Sequence, residues 1–251
     1  MARDFNGSSD NLKLSSTILT SYPFTMAAWV NPDITTSAMA VMGVYESAGS
    51  PGDRWSIELR GDAAGDPVRF ISRRLTNQVD ASTTTGFVAS VWQHVCAVGA
   101  SATSRAVFLN GGSKGTNTTD STPTAQDVTT IGVLDRNTDA FFFNGKIAEV
   151  IIWNIALSDA EVAIIARPGF PMNRYRSGNI LAYWRIGVGS PEPDWSENVN
   201  NLTVSGTTIV DHPPIAPPFG FNIGWMGNQS PASEGTSIKD IIGGGFIMFP
   251  R

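Results

Sequence analysis

The chain has 251 residues, of which 41% are hydrophobic and 16% are charged, and it contains 25 Gly, 15 Pro and one Cys. This composition provides enough apolar side chains for a core and excludes a disordered low-complexity chain. The formal net charge of −5 argues against a nucleic-acid partner, and no stretch of about 18 apolar residues is present to span a membrane.

Short strands are predicted through the first 155 residues, because runs of β-branched, aromatic and aliphatic residues alternate with Gly, Asn, Asp and Ser. Within residues 54–60, apolar and polar side chains alternate, which predicts one core face and one polar face. Asn110-Gly111-Gly112 predicts a hairpin turn. The predicted strands cover residues 11–14, 24–30, 40–45, 55–59, 68–72, 94–99, 106–109, 129–132 and 146–153.

One short helix is predicted after these strands, because Ser158 and Glu161 have the spacing of a capping box. The helix is expected to end at Arg167-Pro168-Gly169. Further strands are predicted at 180–185, 202–204 and 207–210. Four prolines then fall within residues 213–218, which predicts an extended spacer. We therefore predict a domain over residues 1–212 and a Pro/Gly-rich arm over residues 213–251.

Several short motifs occur in a familiar order. They are FNGSSD at residues 5–10, FTMAAWV at 24–30, WQHV at 92–95, AVFLNG at 106–111, FNGKIAEV at 143–150 and WNIALS at 153–158. Together they cover about residues 3–167 and resemble the laminin G-like family, whose members have a concanavalin A-like jelly roll. The resemblance implies an all-β, two-sheet antiparallel sandwich with one short helix and closing strands at about 180–210, followed here by the C-terminal arm.

The resemblance also raises hydrolysis of sugars, because related glucanases carry a Glu-x-Asp-x-x-Glu pattern on one strand. This chain lacks that pattern, and Glu58 is followed two residues later by Arg60. His94 and His212 have no neighbouring residues that suggest a catalytic triad, and Cys96 lies in an apolar strand where we expect burial. We therefore predict that the protein is not an enzyme, with glycoside hydrolase as the third-ranked function.

Calcium and sugars are the two ligands that the resemblance suggests. No cofactor is predicted, but some related sandwiches bind calcium through oxygen ligands, and an ordinary turn-rich loop is the alternative. For sugar binding, we expect aromatic residues on loops to contribute, whereas Trp29 and the other strand tryptophans are expected in the core. The calcium candidates are Asp10, Asp135, Asn137, Asp139 and Glu149, and the sugar-binding candidates are Tyr45, Phe141 and Trp195.

Two features lead to a functional prediction: a module typical of recognition, and a chain with neither an export signal nor a second Cys. We expect a non-enzymatic bacteriophage virion protein, such as a head decoration, fibre or tail component, assembled in the host cytoplasm. Its partners would be capsid or tail proteins and further copies of itself. The alternative is a lectin that binds a host-surface glycan. Attachment is assigned to the arm through Pro213, Phe219, Phe221, Trp225, Phe246 and Phe249.

Overall fold

The computed structural model describes residues 1–49 and 52–213. The helix is α1 (Asp159–Ile165), and two 3₁₀ turns follow it at Met172–Arg174 and Ser177–Asn179. The arm residues Phe219, Phe221, Trp225, Phe246 and Phe249 lie outside the described residues. The strands are β1 (Ala2–Asn6), β2 (Asn11–Leu14), β3 (Phe24–Pro32), β4 (Ala38–Tyr45), β5 (Arg54–Arg60), β6 (Pro67–Arg74), β7 (Asn77–Gly86), β8 (Gln93–Ser101), β9 (Ser104–Leu109), β10 (Gly112–Asn117), β11 (Val128–Ile131), β12 (Asn144–Trp153), β13 (Ile180–Trp184), β14 (Thr203–Ser205) and β15 (Thr208–Val210).

Two antiparallel sheets form a sandwich, which confirms the predicted fold class. The eight-stranded sheet has the order β10-β9-β8-β3-β12-β1-β15, and β13 also pairs with β12. The seven-stranded sheet has the order β14-β2-β11-β4-β5-β6-β7. The main core lies between the sheets and includes Phe24, Trp55, Phe70 and Trp184. The late strands β13, β14 and β15 join both sheets, as expected for closing strands.

Strand β12 changes its partner along its length. Its first half pairs with β1 from Asn144 to Ile147, and its second half pairs with β13 from Val150 to Trp153. On its other side it pairs with β3 throughout, with one extra residue between Ala148 and Ile151. This β-bulge therefore lies where the partner strand changes, and it bends the sheet locally.

Three strands were not predicted. Strands β1, β7 and β10 were missed because β7 and β10 are rich in Thr, Ser, Asn and Gly, and β1 is only partly apolar. The hairpin turn between β9 and β10 is confirmed, with positive φ at Asn110 and Gly111. On β5 the outward-facing Ser56 and Glu58 are fully buried, so this polar face is covered rather than exposed.

The predicted helix is confirmed, with its capping box formed by Ser158 and Glu161. Val162 and Ile165 pack into a second apolar cluster on the outer face of the eight-stranded sheet. Cys96 belongs to this cluster, and burial raises the pKa of its thiol, which makes it an inert packing residue. None of the described helices is long and apolar enough to cross a membrane.

A buried ion pair joins the two ends of the described chain. Arg3 Nε donates to Glu192 Oε2 at 2.8 Å, and both side chains are almost completely inaccessible to solvent. The same carboxylate accepts hydrogen bonds from the backbone N–H groups of Gly187 and Val188. The main chain of Glu192 pairs with that of Leu202, a core residue. This network therefore anchors the segment 187–202 to the sandwich.

Replacing Glu192 with Ala should lower the free energy of unfolding by about 3–5 kcal/mol, because Arg3 would remain buried without its counter-charge. Denaturant unfolding measures this loss. The matched control is Lys114→Ala, which removes the exposed ion pair with Asp159 and should cost about 1 kcal/mol or less. Equal losses in the two variants would contradict the assignment of Glu192 as an anchor.

Because His94 is buried, we expect the stability of the fold to fall as the pH is lowered. Burial lowers its pKa to about 3, and neither ring nitrogen has a hydrogen-bond partner among the described residues. The unfolded state, with an ordinary pKa of about 6.5, binds more protons between these two values, so stability falls as the pH drops through this window, by up to about 1.4 kcal/mol per pH unit.

The variant His94→Leu should remove this part of the pH dependence. Its stability near neutral pH should match or exceed that of the original chain, because two unsatisfied buried nitrogens are removed. Denaturant unfolding of both proteins at about pH 7 and about pH 5 tests this expectation. Parallel losses of stability in the two proteins would show that His94 does not contribute.

Candidate functional site

A cleft lies on the outer face of the eight-stranded sheet, where β12 changes partner. Its volume is about 550 Å³. The floor comes from β3, β12 and β13, and the walls come from the segment after α1, the loop around residue 195 and the residues after β15. Its lining includes four aromatic side chains and several polar ones. The residues are Met1, Trp29, Glu149, Pro168, Gly169, Phe170, Pro171, Asn173, Tyr183, Arg185, Trp195, His212 and Pro213.

Glu149 reaches this cleft because of the bulge in β12. It lies between the two residues that flank the extra position, and its φ is +51°. Its backbone N–H donates to the Arg185 carbonyl, beyond the end of β13. A left-handed conformation at a non-glycine residue is uncommon and costs of order 1 kcal/mol or more. The local backbone therefore presents a carboxylate on the outer face of the sheet.

Two side chains contact the Glu149 carboxylate. The Tyr183 hydroxyl donates a short hydrogen bond to Oε2, and His212 Nε2 lies 2.7 Å from Oε1. His212 Nδ1 lies 2.9 Å from the Pro213 carbonyl oxygen, so both ring nitrogens are within hydrogen-bond distance of an oxygen atom. Burial, followed by the charge of Glu149, raises the pKa of Tyr183 well above its usual range. Tyr183 is thus a hydrogen-bond donor, not a base.

Trp195 forms one wall and is 52% exposed. Its backbone N–H donates to the Tyr183 carbonyl at 2.8 Å, and the guanidinium of Arg185 lies 5.5 Å from its ring centroid. Asp194 organises the same loop, since its carboxylate accepts from the backbone N–H groups of Tyr183, Ser196 and Asn200. The exposed indole is therefore held by a loop with several fixed backbone contacts.

Two of the three predicted sugar-binding aromatics lie elsewhere. Tyr45 is the last residue of β4, not a loop residue, and its side chain is fully buried, so it is not available to contact a sugar. Phe141 is partly buried against the Tyr45 cluster, with Arg60 over its ring. Trp195 is the one that lines the cleft. Trp29, expected in the core, lies instead on the cleft floor.

The five calcium candidates do not converge. Asp135 pairs with Lys13 at 2.5 Å, and Asp139 is nearby in the same loop, where burial and Asp135 raise its pKa. Asp10 accepts from the Asn6 backbone N–H, Asn137 is exposed, and Glu149 is on the cleft. Within the part of the chain that the structure describes, no three His, Cys, Asp or Glu side chains are placed to hold a metal ion.

Glu58, the carboxylate considered for hydrolysis, is enclosed by arginines. Arg54 Nε lies 3.3 Å from its Oε1, and Arg60 Nη1 lies 3.7 Å from its Oε2. Ser56 donates to Oε1 at 2.9 Å. Glycoside hydrolysis needs a second carboxylate about 5–9 Å away on the substrate side. Two cations occupy the surroundings of Glu58 instead.

Several cleft residues were not predicted to belong to a binding site, among them Phe170, Asn173, Tyr183, Arg185 and His212. Their positions in the sequence are far apart, and His212 and Glu149 are separated by 63 residues. His212 was predicted to be the last residue of the domain, with no catalytic role, and it contacts Glu149. Pro213, assigned to the arm, is buried at the edge of the cleft. Two cleft residues were predicted as ligand contacts from the sequence: Glu149, within the motif FNGKIAEV, and Trp195.

The paired antiparallel sheets and the covering helix define a concanavalin A-like sandwich with a cleft on one outer face. The model of the concanavalin A-like lectin/glucanases superfamily matches residues 6–163, and the chain belongs to this superfamily. A search of curated protein sequences gives no significant match.

Solved structures with the same fold include three of different kinds. The heptameric SAP-like pentraxin of Limulus polyphemus has a TM-score of 0.61 at 15% identity, over 82% of this chain and 93% of that one. A candidate carbohydrate-binding protein of Bacteroides ovatus has a TM-score of 0.58 at 16% identity, over 86% of this chain and 61% of that one. Domain 4 of the Geobacillus stearothermophilus arabinanase AbnA, in complex with arabinotriose, has a TM-score of 0.54 at 21% identity, over 66% of this chain and 76% of that one. The TM-scores show that these proteins share the fold of this chain, although the sequence identities are low.

The contact between Tyr183 and Glu149 predicts that Tyr183 does not ionise in an alkaline titration up to about pH 10. The Tyr183→Phe variant should show the same phenolate absorbance as the original chain up to about pH 10, because burial and the carboxylate keep Tyr183 neutral there. Ultraviolet difference spectroscopy measures this absorbance. Loss of one phenolate signal near pH 10 in the variant would show that Tyr183 ionises normally.

Proposed function

We propose that the protein is a non-enzymatic carbohydrate-binding protein that holds its ligand in the cleft on the eight-stranded sheet. The observation that carries this proposal is the combination of aromatic side chains with a few fixed polar groups. Trp29, Phe170, Tyr183 and Trp195 provide apolar surface, and Glu149, Arg185 and Asn173 provide hydrogen-bonding groups. The volume of about 550 Å³ falls within the range of roughly 300–1,000 Å³ that is usual for small-molecule sites.

The chemistry of the cleft favours binding over hydrolysis. Among the described lining residues, Glu149 is the only carboxylate, and Tyr183 and His212 already occupy its two oxygens. An acid and base pair needs two carboxyl groups on opposite sides of the scissile bond. The solved carbohydrate complex with the same fold, that of AbnA domain 4 with arabinotriose, gives the proposal a precedent in that protein.

The virion role stays a prediction from the sequence. It depends on the segment from about Pro213 onward, of which only Pro213 lies among the described residues. A sugar-binding cleft is compatible with it, since attachment to a partner and recognition of a glycan would use different parts of the chain. Particle incorporation of a protein lacking residues 219–251 would test it separately.

Trp195→Ala should weaken binding of a saccharide ligand by about tenfold or more, since about 1.4 kcal/mol of contact energy corresponds to a factor of ten. A glycan array identifies the ligand, and isothermal titration calorimetry measures its affinity. The matched control is Val199→Ala, a more exposed apolar residue of the same loop that does not line the cleft.

Three outcomes are informative for this experiment. A loss with Trp195→Ala alone supports the cleft. Equal effects of the two variants would contradict the assignment of the ligand to this cleft. Release of a reducing sugar during incubation with the ligand would overturn the proposal that the protein is not an enzyme.

A further inference from the structure

The chain contains two histidines, and their surroundings differ sharply. His94 is completely buried, neither of its ring nitrogens has a partner among the described residues, and burial lowers its pKa to about 3. His212 lines the cleft, is partly exposed, and contacts an oxygen atom through each ring nitrogen. Histidine is the side chain that ordinarily changes charge between about pH 5 and pH 8. Because His94 stays neutral in that range, any effect of a histidine on the cleft comes from His212.

The ring of His212 lies between two hydrogen-bond acceptors. Its Nε2 is 2.7 Å from Glu149 Oε1, and its Nδ1 is 2.9 Å from the carbonyl oxygen of Pro213. The Tyr183 hydroxyl donates to the other oxygen of the same carboxylate. A neutral imidazole has one N–H group and one lone pair, so either tautomer directs its lone pair at one of these oxygens, whereas the imidazolium donates to both. The two distances can therefore be satisfied together only by the doubly protonated ring.

Charges of both signs surround His212. Glu149 on β12 and the neighbouring Asp211 favour a positive ring, and Arg185, just beyond β13, opposes it. The amino group of Met1 is also close, because the charges of these same three residues act on its pKa. Burial lowers the pKa of this amino group below its usual value, so it is a second group that can titrate near neutral pH. An experiment on His212 must therefore separate the ring from the amino group.

His212 and Pro213 form one wall of the cleft and follow the short edge strand β15. This strand pairs only with β1 among the described strands. Within residues 1–49 and 52–213, no hydrogen bond to another part of the backbone holds residues 211–213. Pro213 is buried, so its ring contributes apolar contact to the wall. The contact between His212 and Glu149 is therefore the polar attachment of this wall to the floor of the cleft.

We propose that His212 is a pH-dependent latch of the cleft: the doubly protonated ring fixes the wall of His212 and Pro213 to Glu149, and the neutral ring releases it. This inference rests on the proposed function, because it concerns regulation of the same cleft. A wall that is already fixed needs less ordering when a ligand binds, so a saccharide binds more tightly to the protonated state. The coupling is reciprocal, so a bound saccharide favours the protonated ring.

Isothermal titration calorimetry at about pH 5.5 and about pH 8 tests the coupling, with arabinotriose and the tightest-binding glycan of an array as the two probes. The original chain should bind a probe about fivefold or more tightly at the lower pH, which is the lower end of usual couplings between two sites. His212→Gln retains an N–H donor near the position of Nε2 but does not titrate, so its affinity should be equal at both pH values. The matched control is His94→Leu, which removes the other histidine and should retain the pH dependence of the original chain.

Nuclear magnetic resonance of the histidine rings tests the contact without any ligand. The signals of His212 are those that disappear in His212→Gln, and the signals of His94 should stay those of a neutral ring. Glu149→Gln removes the negative charge but keeps an oxygen acceptor, so the midpoint of the His212 titration should move to lower pH. Addition of a bound probe to the original chain should move this midpoint to higher pH by about 0.7, the logarithm of a fivefold coupling.

These measurements separate the latch from the proposed function. Saccharide binding that is equal at both pH values in the original chain overturns the latch and leaves the cleft as the binding site. A pH dependence that persists in His212→Gln also overturns it and assigns the effect to the amino group of Met1. If neither probe binds at either pH, the proposed function fails, and the ring titration alone decides on the latch. In that case a lower midpoint in Glu149→Gln supports the contact, and an unchanged midpoint overturns it.

Discussion

The buried ion pair between Arg3 and Glu192 is the contact on which closure of the sandwich depends. It joins residues that are 189 positions apart, and it ties the segment 187–202 to β1. Removing two charges from water is costly unless each is fully paired, and here the carboxylate also accepts two backbone N–H groups. Because Glu192 pairs through its main chain with Leu202, the segment that carries Trp195 is fixed at both ends. The ion pair between Arg3 and Glu192 therefore contributes both to the stability of the fold and to the shape of the cleft.

The change of partner along β12 explains why the cleft is where it is. A continuous neighbouring strand would fill the sheet, but β1 ends and β13 begins beside the bulge. The extra residue there directs Glu149 outward, and the end of β13 brings Tyr183 and Arg185 beside it. The aromatic walls then come from segments that were already needed to cover the outer face, namely the chain after α1 and the loop anchored by Glu192. The cleft is a consequence of how the sheet is assembled.

Local features could be predicted from the sequence, whereas features that depend on distant residues could not. The capping box of Ser158 and the turn at Asn110 involve only neighbours, and both predictions are confirmed. Tyr45 was placed on a loop because its burial depends on the chain around Phe141, almost a hundred residues later. The position of His212 beside Glu149 could not be predicted because this contact spans 63 residues. Strand alternation predicted the polar face of β5, but not that Glu58 would be covered.

The proposed binding cleft lies on an outer face for one physical reason. The inner faces of the two sheets are covered by the core. Polar side chains can therefore reach a ligand only on an outer face, where a second layer covers the sheet incompletely. On the eight-stranded sheet the covering layer is apolar and leaves an aromatic cleft. On the seven-stranded sheet the second layer reaches β4 through Phe141, which packs against the cluster of Tyr45, while β5 carries Glu58 between Arg54 and Arg60.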